Sequence, residues 1–171
     1  SIGRLSKQKN FNFLIDSFKI VAENKDIKLV IIGQGEQKKF LINKIKKLNL
    51  QEKVLLIGNK KNIFPYLKGS LFFVLTSDWE DPGFVIIEAM FSRKLILSSD
   101  CPNGPREIIQ NSQNGFLYEQ NNFKDFEQKL NGVLNILNKK EKKNFLLLNA
   151  LKKTRNYTIF NHYLEIKKHL E

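Results

Sequence analysis

The sequence predicts an α/β fold in which a doubly wound parallel sheet carries helices on both faces. Three observations lead there. Short, near-continuous apolar runs recur along the chain, each closed by Gly, Ser or Thr, as strands buried on both faces require. Between them the apolar residues fall at a period near 3.6, which marks amphipathic helices. With 171 residues, 42% of them hydrophobic, the chain is large enough for one domain with a real core.

The elements follow in order. Phe11, Leu14, Ile15, Phe18, Val21 and Ala22 share one face of a first helix. Leu29 to Ile32 form a strand closed by Gly33, and Leu41, Ile45 and Leu48 place a helix after it. Val54 to Ile57 close at Gly58, and Leu71 to Leu75 close at Thr76-Ser77. Pro82-Gly83 lead into a helix carrying Val85, Ile86 and Ala89. Leu95 to Leu97 end at Ser98-Ser99-Asp100, and Pro105 starts a short helix with Arg106 and Glu107. Phe123, Phe126, Leu130, Val133, Leu134 and Leu137 place a long final helix on the domain. Strand–helix alternation at this spacing implies βαβ units. From 138 to 171 the pattern is helical only, so the expected division is a domain at 1–137 and a helical tail at 138–171. That tail packs on the domain or reaches towards a neighbouring one.

Composition removes several classes. A single cysteine, Cys101, excludes an internal disulfide framework and a Cys-based zinc site, and suits a reducing, intracellular setting. No window of about 18 apolar residues is free of charge, so no transmembrane helix is expected. Ser1-Ile2-Gly3-Arg4 has neither an initiator Met nor a signal-peptide layout. It reads as the start of a domain cut from a longer chain. The formal charge of +12 first suggests nucleic acid or an anionic membrane. Only four of the cations are Arg, the residue that groove and phosphate readers favour. Most of the Lys excess is therefore expected to be solvated surface.

In a doubly wound sheet, ligands bind outside the carboxyl ends of the strands. The segments there are Gly3-Arg4, Gly33-Gln34-Gly35, Gly58-Asn59, Thr76 to Phe84, and Ser98 to Glu107. Glu80 lies in an acidic loop before the Pro82-Gly83 helix start and Glu88 inside that helix. Free backbone N–H groups at such a start suit a phosphate, and a carboxylate that accepts two hydroxyls suits a sugar. The competing reading is an acidic helix N-terminus stabilised by the macrodipole. Arg4 and Lys9 flank the first loop and can clamp a diphosphate, or be ordinary surface cations. Gly33 and Gly35 allow backbone to approach a ligand closely, without a third Gly for the dinucleotide fingerprint. Asp78, Glu80 and Asp81 offer oxygen ligands to a divalent cation, against which the helix start counts. His162 and His169 lie in the tail, away from Cys101, and no nucleophile–base arrangement is visible.

Taken together, Gly3-Arg4-Leu5 with Lys9, Gly33-Gln34-Gly35, Glu80 with Glu88-Ala89-Met90, Gly104 to Ile109 and Asn114 to Leu117 carry a resemblance. Their order resembles the C-terminal domain of retaining GT-B glycosyltransferases, nearest to glycosyltransferase family 4, the glycosyl transferases group 1 type. It runs over residues 1 to 137. The resemblance implies a Rossmann-like domain that binds a nucleotide diphosphosugar of UDP or GDP type. Arg4 and Lys9 would hold the diphosphate and stabilise the leaving nucleotide, and Glu80 would bind donor-sugar hydroxyls. Glu88 would fix the ribose, with the Gly83-Phe84 backbone on the sugar or α-phosphate and the Gly58-Asn59 loop beside the base. No metal and no cofactor are implied.

The resemblance also implies retaining transfer of a hexosyl-type sugar to a glycan or lipid-linked acceptor. Bacterial cell-envelope glycan synthesis is the expected setting, in the cytoplasm with contact at the inner face of the plasma membrane. Nucleic acid is not an expected partner. The isolated chain is expected to bind nucleotide and transfer nothing. The alternative is a non-catalytic basic module that binds nucleotide or nucleic acid. A sugar-phosphate isomerase would need acid–base residues that the sequence does not show. Two departures stand out: Asp81-Pro82-Gly83 follows Glu80 where the family usually has Phe-Gly, and Phe91 to Leu95 replace a small-residue turn with Gly and then Pro.

Overall fold

The computed structural model describes residues 1–22 and 25–170; for Glu165, His169 and Leu170 it describes the backbone alone. The sequence-based interest in the His169 side chain thus lies outside the described residues. Strands β1 (Leu29–Ile31) and β2 (Val54–Leu56) pair in parallel, with Leu29 opposite Val54. Strands β3 (Phe72–Leu75), β4 (Leu95–Ser99) and β5 (Phe116–Tyr118) form a second parallel group in the order β3-β4-β5. Phe72 lies opposite Leu95, and Leu97 opposite Phe116. Ser1 to Gly3 run beside the edge of β1 that faces β3, where Ile2 bridges Ile32 and the Ser1 amine donates to the Val30 carbonyl at 2.8 Å. The ladder is therefore two hydrogen-bonded groups and not one continuous sheet. An apolar cavity of about 530 Å³, lined by Leu29, Val30, Phe72 and Val74, separates them.

Alternate residues of the strands enter two cores. Val74, Leu95, Leu97, Phe116 and Tyr118 pack with α1 (Phe11–Ala22), α2 (Lys38–Lys47) and α6 (Phe123–Leu137). Phe73, Leu75 and Ile96 face the other way, onto α3 (Phe64–Gly69), α4 (Phe84–Phe91) and α5 (Pro105–Ile108). This period-two burial on both faces is why the runs read as continuous apolar segments. Phe13, Tyr118 and Phe126 tie α1, β5 and α6 together, with ring centroids 5.0 to 6.0 Å apart. The expected helices on both faces are present.

Caps fix the entry of two helices. Asn122 accepts from the Asp125 amide at 3.0 Å to start α6, and Asn10, at φ 45°, accepts from the Phe13 amide at 3.2 Å to start α1. Helix α7 (Lys140–Thr154) packs on α4 and α6 through Leu146 and Ala150. Helix α8 (Ile159–Leu170) touches the turn Arg155–Tyr157 and leaves Ile159, Phe160 and Tyr163 exposed. Among the described residues no helix is long and apolar enough to cross a membrane.

Candidate functional site

Every segment singled out from the sequence ends on the carboxyl edge of the strands, but the structure sorts them into groups. The centre is formed by a single 3-10 turn, Lys7–Lys9, and the loop after β3. The Lys9 ammonium donates to both Glu80 carboxylate oxygens, at 2.6 and 2.7 Å. Both side chains are shielded, Lys9 at 14% and Glu80 at 4% exposure, so their attraction is far less screened than a surface pair's. The Ser77 hydroxyl also donates to Glu80, and the Ser99 hydroxyl holds the Ser77 carbonyl at 2.7 Å. The Glu80 amide donates to the Pro102 carbonyl at 3.1 Å. Glu80 is held at four points, by residues from three loops.

Asp78 organises the same loops. Its carboxylate oxygen accepts from the Asn10 amide group at 3.0 Å, Gln120 at 3.1 Å and Asn121 at 3.3 Å. Its backbone amide donates to the Gln8 carbonyl at 2.8 Å, while the Thr76 hydroxyl donates to the Lys9 carbonyl at 3.0 Å. Lys9 is thereby fixed through its main chain as well as its ammonium. The sequence offers Asp78 only as an oxygen ligand for a cation and gives Thr76, Ser77, Gln120 and Asn121 no individual role; the structure makes Asp78 the anchor of these loops. The available signal was the short apolar run Phe116 to Tyr118, whose end is another strand terminus on this edge.

The anion-binding element is also present. Gly83 adopts a left-handed conformation, φ 80° and ψ 39°, just before α4, a shape open to glycine at little cost. Phe84 and Val85 then begin the helix with amides that lack an intrahelical partner by position. The Phe84 side chain is exposed. One turn inside, the Glu88 carboxyl makes no hydrogen bond or ion pair among the described residues, and burial pushes its pKa above the ordinary carboxylate value.

Other expectations separate from this centre. Arg4 is 75% exposed and pairs with Glu36 at 3.4 Å, and takes no part in the Lys9–Glu80 pair. Gly33 and Gly35 have packing reasons of their own: a Cβ would lie 1.8 Å from the Gly3 carbonyl oxygen and 2.4 Å from that of Leu5. Backbone approaches backbone there. Gly58 faces open space and Asn59 is exposed beside it. Arg106 pairs with Asp100 at the rim of the site. Cys101 is buried, and desolvation first among its surroundings raises its thiol pKa. Among the described residues no group of three or more His, Cys, Asp or Glu side chains could hold a metal ion.

Known proteins share this sequence and shape. A family model described as glycosyl transferases group 1 matches residues 1–145. An uncharacterized glycosyltransferase of Methanocaldococcus jannaschii is 48% identical over 110 residues, 64% of this chain and 27% of that protein. The Campylobacter jejuni N-acetylgalactosamine-N,N'-diacetylbacillosaminyl-diphospho-undecaprenol 4-alpha-N-acetylgalactosaminyltransferase is 37% identical over 134 residues, 78% of this chain and 36% of its own length. The chain thus spans about a third of these relatives. The crystal structure of Staphylococcus aureus TarM, solved with UDP among its ligands, superposes with a TM-score of 0.87 at 26% identity, over 99% of this chain and 34% of that one. The chain belongs to the glycosyl transferases group 1 family and has the fold of the C-terminal, Rossmann-like half of a GT-B glycosyltransferase.

Proposed function

We propose that this domain binds a nucleotide diphosphosugar and presents it for retaining transfer of a hexosyl-type sugar, as a member of glycosyltransferase family 4. The observation that carries the proposal is the shielded Lys9–Glu80 pair beside the open start of α4 and the unpartnered Glu88. Lys9 and the α4 amides converge on one side as cationic and dipolar partners for a diphosphate. Departure of a nucleoside diphosphate builds negative charge on its phosphate oxygens, and a fixed ammonium and helix start stabilise that charge without reorganising. Arg4, on an exposed and weakly paired side chain, closes over the diphosphate from the rim.

Glu80, held in place by Lys9, accepts from donor-sugar hydroxyls, and its fixed position orients the anomeric carbon. Glu88, without a protein partner, accepts from the ribose. The Gly83-Phe84 backbone meets the sugar or α-phosphate, and the Gly58-Asn59 loop flanks the base. Residues 1–137 form the donor-binding unit and 138–171 its helical tail. UDP in TarM supports a UDP-type donor, with GDP as the other candidate. The diphospho-undecaprenol in the Campylobacter relative's name supports a lipid-linked acceptor in cell-envelope glycan synthesis. The acceptor wall belongs to the rest of the enzyme, so this chain alone binds donor and turns nothing over. A thermal-shift panel of nucleotide sugars tests the proposal: one nucleotide class stabilises the wild type, and neither Lys9→Ala nor Glu88→Ala responds to it.

A further inference from the structure

A cavity of about 640 Å³ opens where β3 and β4 begin, on the sheet edge opposite Lys9 and Glu80. Four cations line it, Lys25, Arg93, Lys94 and Lys143, and among the described residues its lining holds no Asp or Glu. It shares Arg93 and Leu147 with a second cavity of about 250 Å³, lined further by Asn144, Leu148 and Leu151. The two run together along α7. One end is cationic and the other apolar.

Arg93 adds a second, independent observation. It stands at φ 55° after α4, a left-handed position that suits glycine and strains an arginine. It is also where the chain departs from the Gly-containing turn of the family it resembles. Arg93 lines both cavities. Lys94 is fixed at the wall by donating to the Lys68 and Ser70 carbonyls, both at 2.8 Å. Desolvation, then repulsion from Lys143, lowers its pKa. Leu148, in the lining of the smaller cavity, is 56% exposed.

We propose that the groove seats an anionic phospholipid at a membrane surface. The phosphate headgroup lies among Lys25, Arg93, Lys94 and Lys143, and the apolar chain lies against Leu147, Leu148 and Leu151. The apolar limb is what selects a lipid over a free phosphate, because an inorganic anion uses none of it. The cations match a surface that carries many headgroups. The seat lies on the edge away from Lys9 and Glu80, so a docked membrane leaves the donor loops uncovered. It stands independently of the donor reading.

The test is sedimentation of the 171-residue chain with vesicles of phosphatidylglycerol in phosphatidylcholine, against phosphatidylcholine alone. The wild type partitions onto the anionic vesicles only. Arg93→Gly combined with Lys143→Ala lowers that partitioning on the order of thirtyfold, since each cation near such a surface contributes about fivefold. Arg93→Gly relieves the left-handed turn, so the loss does not come from unfolding. Lys46→Ala with Lys47→Ala removes equal charge from α2 and leaves partitioning unchanged. An equal fall in both pairs means general charge attraction and overturns the seat, as does absence of vesicle binding by the wild type. Stabilisation by inorganic diphosphate that the Arg93→Gly/Lys143→Ala variant loses, without vesicle binding, assigns the cations to a free phosphate and overturns the lipid.

Discussion

The Lys9 ammonium grips both oxygens of Glu80, at 2.6 and 2.7 Å, in a site where neither side chain exceeds 14% exposure. The two residues are 71 positions apart in the chain. Their pairing joins the first turn of the domain to the loop after β3, and so makes one site of two segments. Breaking one side leaves a buried charge alone. Glu80→Ala therefore costs about 3 kcal/mol, read as a fall in the urea midpoint at unchanged slope. Lys9→Met together with Glu80→Leu recovers more than half of it, because no lone charge remains. A loss below about 1 kcal/mol for the single variant, the range of solvated pairs, would contradict the buried pair.

Asp78→Ala removes the shared acceptor of Asn10, Gln120 and Asn121. Each amide is left with fewer partners, at a combined cost of about 1 to 3 kcal/mol. The Lys7–Lys9 turn and the β5–α6 loop lose their common anchor, so hydrogen exchange of their amides rises together. Asp78→Asn keeps a carbonyl acceptor and shows a smaller rise. If the two loops respond separately, Asp78 does not join them.

Glu88 gives a pH signature. Burial raises its folded pKa above the ordinary carboxylate value, so between the unfolded and folded values the native state holds more protons. Stability contributed by Glu88 is present below that window and lost as pH rises through it. Glu88→Gln accordingly raises Tm at pH 7 and leaves it unchanged near pH 3. The same substitution weakens nucleotide binding at pH 7, since a neutral amide is a poorer acceptor for ribose hydroxyls. Gains in both stability and affinity would remove Glu88 from the site.

The glycines separate by cause. Gly33→Ala drives a methyl to 1.8 Å from the Gly3 carbonyl oxygen and pushes the first loop away from β1. A loss of about 3 kcal/mol or more is expected from such overpacking. Gly58→Ala meets open space and only the strain of φ +72°, about 1 kcal/mol. Urea titration of the two variants side by side checks the order.

Arg93→Gly stabilises the chain by a few tenths to about 1 kcal/mol. The relief of φ 55° is partly offset by the greater freedom of glycine in the unfolded state. A destabilised variant would mean that the guanidinium itself holds the turn.

Much of this was readable in the residues alone. The strands announce themselves because burial on both faces makes them continuously apolar, and Phe11 to Ala22 announce a helix because only one face is buried. Glu80, Lys9 and Glu88 were legible through their motif order. The sequence could not show that Arg4 pairs with Glu36, since a side chain's partner across the loop depends on tertiary placement. Nor did it show why Gly33 and Gly35 are glycine, because the atoms that crowd them lie about 30 residues away. Asn114 to Leu117 are legible only as a motif, and the strand Phe116–Tyr118 within that stretch does not show as one. Gln120 and Asn121 went unread with it, and hence the role of Asp78.

Isothermal titration of UDP- and GDP-sugars into the wild-type chain and its Lys9→Ala and Glu88→Ala variants bears most directly on donor binding. One nucleotide class saturates the wild type at one site per chain, and at a hundredfold Kd stabilises it by about 2.7 kcal/mol in the matching thermal melt. Each variant, still folded, binds at least tenfold more weakly. No binding of either class by the wild type, or equal binding by all three proteins, would contradict a donor site built on Lys9, Glu80 and Glu88.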